Sequence, residues 1–166
     1  MRSRRAVLGL ALGWALLGAG SGCLGVVPFQ PRAYDGAVRV EAVDLAFTRD
    51  GTGALTLTLK VRNPSSDAAT VTRVDFDLRV DGRRLATGEQ VLGEPLDGQR
   101  EIPLEIRFPL AVARSAARPE PTSHAVRVEG GVVLRFGGSE RRAPFRDARS
   151  LEVPWMPGAA ESSPAP

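Results

Sequence analysis

From Leu55 to Val61 every second residue is aliphatic: Leu55, Leu57, Leu59 and Val61 alternate with Thr56, Thr58 and Lys60, and the run stops at Asn63-Pro64. A period of two places one set of side chains on each face of an extended chain, so this stretch predicts a half-buried strand. Val74, Phe76, Leu78 and Val80 repeat the alternation, and Asp81-Gly82 supplies the residue types that a tight hairpin with positive backbone angles demands. The returning strand is expected from about Arg83 to Val91, with a turn-rich crossing from Gly93 to Arg100. Between Val38 and Phe47 the apolar residues fall first on even positions (Val38, Val40, Ala42) and then on odd ones (Val43, Leu45, Phe47), a change of phase that predicts a bulged strand.

Further along, Ile102, Leu104, Ile106 and Phe108 form another row. Pro103 has no amide hydrogen to give a ladder, which predicts that this strand lies at a sheet edge. Val126, Val128, Val132, Leu134 and Phe136 form the next row, interrupted at Gly130, where a side chain would not fit. A short ribbon from Arg141 to Phe145 and a final strand through Leu151, Val153 and Trp155 complete the set. The stretch 109–124 carries a short helix in its first half at most, before Pro119 and Pro121. About seven strands separated by Gly, Asp and Pro turns predict an all-β fold, an antiparallel immunoglobulin-like β-sandwich, over residues 37–156.

The amino terminus has a different pattern. Arg2, Arg4 and Arg5 precede an apolar run that closes on small residues before Cys23, which predicts an export signal over residues 1–22. The run is Gly-rich and short of the roughly 20 apolar residues that a permanent span requires. Gly20-Ser21-Gly22-Cys23 resembles the bacterial lipobox, with Gly20 where an aliphatic residue is usual. That resemblance implies lipid attachment at Cys23 and cleavage before it, which ties the protein to a membrane through acyl chains. Ser3-Arg4-Arg5-Ala6-Val7-Leu8 also resembles a twin-arginine signal. Leu24 follows the cysteine where an Asp would favour the inner membrane, so the outer membrane facing the periplasm is expected. Residues 23–36 read as a lipidated tether, and 157–166, rich in Pro, Ser and Ala, as a disordered tail.

Charge removes one function class. Without residues 1–22 the chain has 19 basic and 19 acidic side chains, and its arginines are scattered with no basic helix or aromatic ladder among them. A nucleic-acid partner is therefore not expected. Cys23 is the only cysteine, so no internal disulfide can form and the core must hold the fold by itself.

The strand ending Val61-Arg62-Asn63-Pro64, the hairpin from Val74-Val80 to Leu85-Ala86-Thr87-Gly88, and the later landmarks Ile102-Pro109, Val126-Arg127-Val128-Glu129-Gly130 and Ala143-Pro144-Phe145 occur in the order of another known module. In this order they resemble the late-embryogenesis-abundant group 2 proteins, whose module is also called the water-stress and hypersensitive-response domain. The likeness spans roughly residues 36–155, with Ser65 where the family often has a second Asn-like residue. It implies a fibronectin type III sandwich in which Asn63, Pro64 and Gly130 are structural motif residues, and a stress-protective or client-stabilising role. Read on chemistry alone, Asn63 organises a turn: proline forces its predecessor to be extended, and an Asn side chain bonds nearby loop backbone.

No catalytic set emerges. Nucleophilic catalysis needs a nucleophile, a base and an orienting group brought together. His124, the only histidine, reads as an exposed structural residue, and no serine sits in a GxSxG-like elbow. One Cys and one His cannot build a zinc cage, and the carboxylates lack calcium-loop spacing. Asp75 and Asp77 share a strand face as solvated polar positions. The expectation is a non-enzymatic, membrane-anchored lipoprotein of the bacterial cell envelope, without catalytic residues, metal or cofactor, that protects clients or binds partners. The alternative is a structural subunit of an envelope transport or secretion assembly that adds a strand at the edge near Pro103.

Overall fold

The computed structural model of the chain describes residues 32–112 and 122–155. The signal, Cys23 and most of the tether, the linker 113–121 and the tail from 156 lie outside the described residues, and with them most of the stretch expected to hold a short helix. Seven strands follow one another: β1 (Val38–Phe47), β2 (Thr52–Arg62), β3 (Ala69–Val80), β4 (Arg83–Leu96), β5 (Glu101–Ala111), β6 (Thr122–Phe136) and β7 (Ser139–Val153). All pairings are antiparallel, in a three-stranded sheet ordered β1-β2-β5 and a four-stranded sheet ordered β4-β3-β6-β7. The fold is a β-sandwich. An immunoglobulin constant-type sandwich keeps its fourth strand with the first two; here the fourth strand pairs with the third instead.

The alternating rows become the core. Leu55, Leu57, Leu59 and Val61 of the central strand β2 are fully buried, as are Val71, Val74 and Leu78 of β3 and Val132 and Leu134 of β6. The phenyl rings of Phe76 (β3) and Phe108 (β5) meet with centroids 4.4 Å apart and stitch the two sheets together. At roughly 1.5–3 kcal/mol for each fully buried aliphatic or aromatic side chain, these rows supply the main stabilising term of a domain without a disulfide.

Local signals are realised where the pattern placed them. The register of β1 against β2 shifts between Val40 and Ala42, at the change of phase, and leaves Glu41 as the extra residue. Asp81 and Gly82 both take positive φ, 49° and 79°. β5 is an edge strand, as Pro103 requires. Two expectations need correcting. β4 continues through Leu96, so only 97–100 remain as a turn; its inner positions hold Ala86, Gly88 and Gln90 opposite Leu78, Phe76 and Val74, too small or too polar to show a hydrophobic period. Gly88 is small because the Phe76 ring lies on it, with Cε1 2.7 Å from where a Cβ would stand. Likewise the ribbon 141–145 and the last strand are one strand, β7. Asp147 and Arg149 occupy the alternate row between Phe145 and Leu151 and satisfy one another through a 2.6 Å contact, which hides the continuity from any apolar period.

Candidate functional site

The residues singled out in the sequence fall in three places. Asn63, fully buried, sits at the end of β2 where two turns meet. Its Nδ2 donates to the carbonyl of Asp67 at 2.7 Å and to those of Asp97 and Leu96 at 3.3 and 3.4 Å, while Oδ1 accepts from the Ser65 amide at 3.0 Å. Its own amide donates to the Arg100 carbonyl at 2.9 Å. One side chain thus ties the β2–β3 turn to the β4–β5 turn. Both ends of the Asn63 side-chain amide are engaged by backbone of the same chain, as a turn-holding residue requires.

His124 lies at the other end of the sandwich, at the start of β6. The hairpin residue Asp81 reaches it: Oδ2 is 2.8 Å from His124 Nδ1, and Oδ1 accepts from the Ala125 amide at 2.9 Å. Those hydrogen bonds, the histidine's foremost, hold the Asp81 carboxyl below the usual carboxylate range. The imidazole is only 16% exposed, so the expected open histidine is instead a covered clasp between β3 and β6. An Asp–His pair orients a base in many hydrolases, but a nucleophile must then meet the other ring nitrogen. Ser123 precedes His124 on the strand and therefore projects from the opposite face; it bonds Ser150 at 2.7 Å. Ser123 thus does not meet the imidazole of this pair.

Gly130 lies midway along β6, between Phe76 of β3 and Phe145 of β7 in the register. A Cβ there would run into the backbone carbonyl of Asp75 and come within 2.6 Å of the Phe145 ring. Its neighbour Gly131 does different work: Arg142 crosses above it from β7 to reach Asp75 on β3, with Nε–Oδ2 3.1 Å and Nη2–Oδ1 2.6 Å. The bond to Asp75 raises the Arg142 guanidinium above its ordinary pKa. In sequence Asp75 reads as a solvated strand position and Arg142 as one of the scattered arginines, and only the missing side chain at 131 marks where something crosses.

Around this saddle lies a concavity of about 800 Å³, bounded by Asp75, Asp77, Glu129, Arg142, Arg146 and, from the entry to β1, Asp35. Three of its acids are taken up by arginines of the same sheet: Asp75 by Arg142, Asp77 by Arg84 and Arg79, Glu129 by Arg127. No group of three His, Cys, Asp or Glu among the described residues is placed to hold a metal ion. At the β1–β2 turn the Asp50 carboxylate accepts from the hydroxyls of Thr48 and Thr52 and from the Thr52 amide, which lowers its pKa to about 2, the Thr48 bond contributing most. These charged and polar groups hold turns and neighbouring strands together. Asn63, His124 and Gly130 stand at one end, the other end and the middle of the sandwich, and the fold does not assemble them into one site.

No family model matches the chain, and no curated protein matches it. Among solved structures it is similar to the solution structure of a candidate late embryogenesis abundant (LEA) protein, with a TM-score of 0.56 and 18% identity over 72% of this chain and 71% of that one. It is also similar to the solution structure of a protein from Arabidopsis thaliana, with a TM-score of 0.55 and 16% identity over 75% of this chain and 83% of that one. The two likenesses are of fold.

Proposed function

We propose that the chain is a non-enzymatic lipoprotein of the bacterial cell envelope that acts by protecting or holding other proteins, in the manner of a stress-protective domain of the late-embryogenesis-abundant group 2 type. The observation that carries this reading is the fold shared with an LEA structure, joined to polar residues that are engaged in holding strands and turns rather than gathered around a reacting centre. A fold by itself licenses many functions, so the site evidence matters as much as the likeness. The sequence Gly20-Ser21-Gly22-Cys23 supports the anchor, and two or more acyl chains would make it a stable one.

The alternative, an assembly subunit that accepts a strand from a partner, meets an obstacle at each open edge. Glu41 bulges β1, and β4 shifts register twice against β3. In β5 the amides of even residues face β2, since the Arg100 carbonyl and the Val112 amide both bond to that side. Pro103 and Pro109 are odd, so each removes a donor from the free edge. Pro144 does the same on β7, where odd residues face β6 and even ones face out. Bulges and prolines on edges are devices against indiscriminate strand addition.

Two experiments test the proposal. The Cys23→Ser chain is expected to leave the membrane fraction on cell lysis, while the native protein stays and yields an acylated amino-terminal peptide; a native peptide free of acyl mass would remove the anchor. The same Cys23→Ser chain, mixed with an unrelated heat-labile or drying-labile enzyme, is expected to preserve more activity than an equal mass of inert protein. Protection no better than that of the inert protein would count against the stress-protective reading. Recovery of a single stoichiometric envelope partner after crosslinking in cells would favour the alternative.

A further inference from the structure

We infer that the free edge of β5 is a docking surface for a second copy of this chain, paired antiparallel about a two-fold axis through Ile106. The edge reads nearly the same in both directions from that residue: Glu105 answers Arg107, Leu104 answers Phe108, Pro103 answers Pro109, and Ile102 answers Leu110. An isologous contact needs such self-complementarity, because each residue meets its counterpart twice.

The hydrogen-bond parity agrees. Even residues of β5 bond to β2, so the amide and carbonyl of Glu105 and of Arg107 point away from the sheet toward the free edge. In the two-fold pairing Glu105 of each copy lies opposite Arg107 of the other, and each such pair exchanges both backbone bonds. Pro103 then lies opposite Pro109, so these pairs form no backbone bond and the ladder is confined to the Glu105 and Arg107 pairs between them.

Side chains supply the second half of the match. Glu105 and Arg107 are exposed on the outer face and make no ion pair or side-chain hydrogen bond among the described residues, unlike their neighbour Glu101, which holds Arg39. They stand two apart on one strand across from Thr58 and Thr56 of β2, which carry no charge to meet them. Cross-strand pairing with a second copy gives both charges an opposite partner directly across the ladder. Few residues take part, so the contact belongs with the small, weak interfaces. It would be populated where copies are concentrated, and tethers on one membrane surface concentrate them.

The test is a charge swap on the full chain, followed by sedimentation equilibrium in density-matched detergent over a range of concentrations. The native chain is expected to show a reversible monomer–dimer equilibrium. Glu105→Arg places like charges across both symmetric contacts and should weaken the dimer about tenfold or more, whereas Glu105→Arg with Arg107→Glu restores opposite charges and should return it to near the native value. Arg107→Glu alone provides the mirror-image single change, should Glu105→Arg fail to fold; far-ultraviolet spectra check each variant. A native chain of monomer mass throughout, a dimer indifferent to the single changes, or a double variant as weak as the singles would each overturn the inference.

Discussion

Replacing Asn63 with Leu is expected to lower the unfolding free energy by about 3–5 kcal/mol, the upper part of what single substitutions do. Leu has the same heavy-atom branching as Asn, so no cavity opens, and the loss would come from hydrogen bonding with some crowding by the bulkier methyl groups. The side chain is fully buried, and the change leaves the Ser65 amide and the Asp67 carbonyl without the partners they have now, with those of Leu96 and Asp97 losing longer contacts as well. Each buried polar group left unpaired costs about 1–3 kcal/mol, reduced here where water can enter the turns. The expectation is specific about place: the turns 63–68 and 97–100 should loosen together, since one amide group serves both. Urea unfolding gives the magnitude, and amide exchange on the two turns gives the coupling. A loss below about 1 kcal/mol would show that the turns stand without their buried link. Asn63→Asp should be worse still at neutral pH, because a carboxylate would face the carbonyl oxygens that the amide nitrogen now serves.

The second large effect is expected at Gly130. Gly130→Ala introduces one methyl group, yet it should cost about 3 kcal/mol or more, because the nearest obstacle is the Asp75 backbone carbonyl within the sheet and the next is the buried Phe145 ring. The carbonyl cannot step aside without moving a strand, and the ring is hemmed in by the core. Gly131→Ala is the informative control. Its methyl group would meet the Arg142 guanidinium, the far end of a flexible side chain, which can swing away at the loss of the Asp75 pair. Half-exposed ion pairs are worth about 1 kcal/mol or less, so this neighbour should be nearly silent. Thermal unfolding of the two variants side by side separates them. Equal losses would refute the idea that Asp75 backbone, and not mere crowding of β6, excludes a side chain at 130.

Both effects had partial signatures in the chain. Asn63-Pro64 announced a strand end and a turn-forming Asn, but the sequence could only direct that Asn to neighbouring backbone. Its reach to residues 96 and 97, more than thirty positions on, follows from β2 and β5 lying side by side. Gly130 announced a place where a side chain would not fit; what occupies that place belongs to β3 and β7. Arg142 and Asp75 left almost no trace, since a pair separated by an intervening strand has no sequence spacing of its own. The same limit explains the clasp of Asp81 on His124, formed because the tip of one hairpin folds against the start of β6.

What the sequence determined by itself is what nearest neighbours decide. The period of two assigned the inward rows of β1, β2, β3, β5 and much of β6; the change of phase located the bulge at Glu41; Asp81-Gly82 set the hairpin; and Pro103 declared an edge. Each is a property of one strand and its own turn, governed by backbone sterics and by which face meets water. Tertiary structure alone decided the order β1-β2-β5 and β4-β3-β6-β7, the full length of β4 and β7, and the partners of Asn63, His124 and Arg142. An alternating pattern says which side of a strand is dry and never which strand lies beside it. Register and neighbours are settled when distant segments compete to cover the same apolar faces, and that competition is not local to any stretch of the chain.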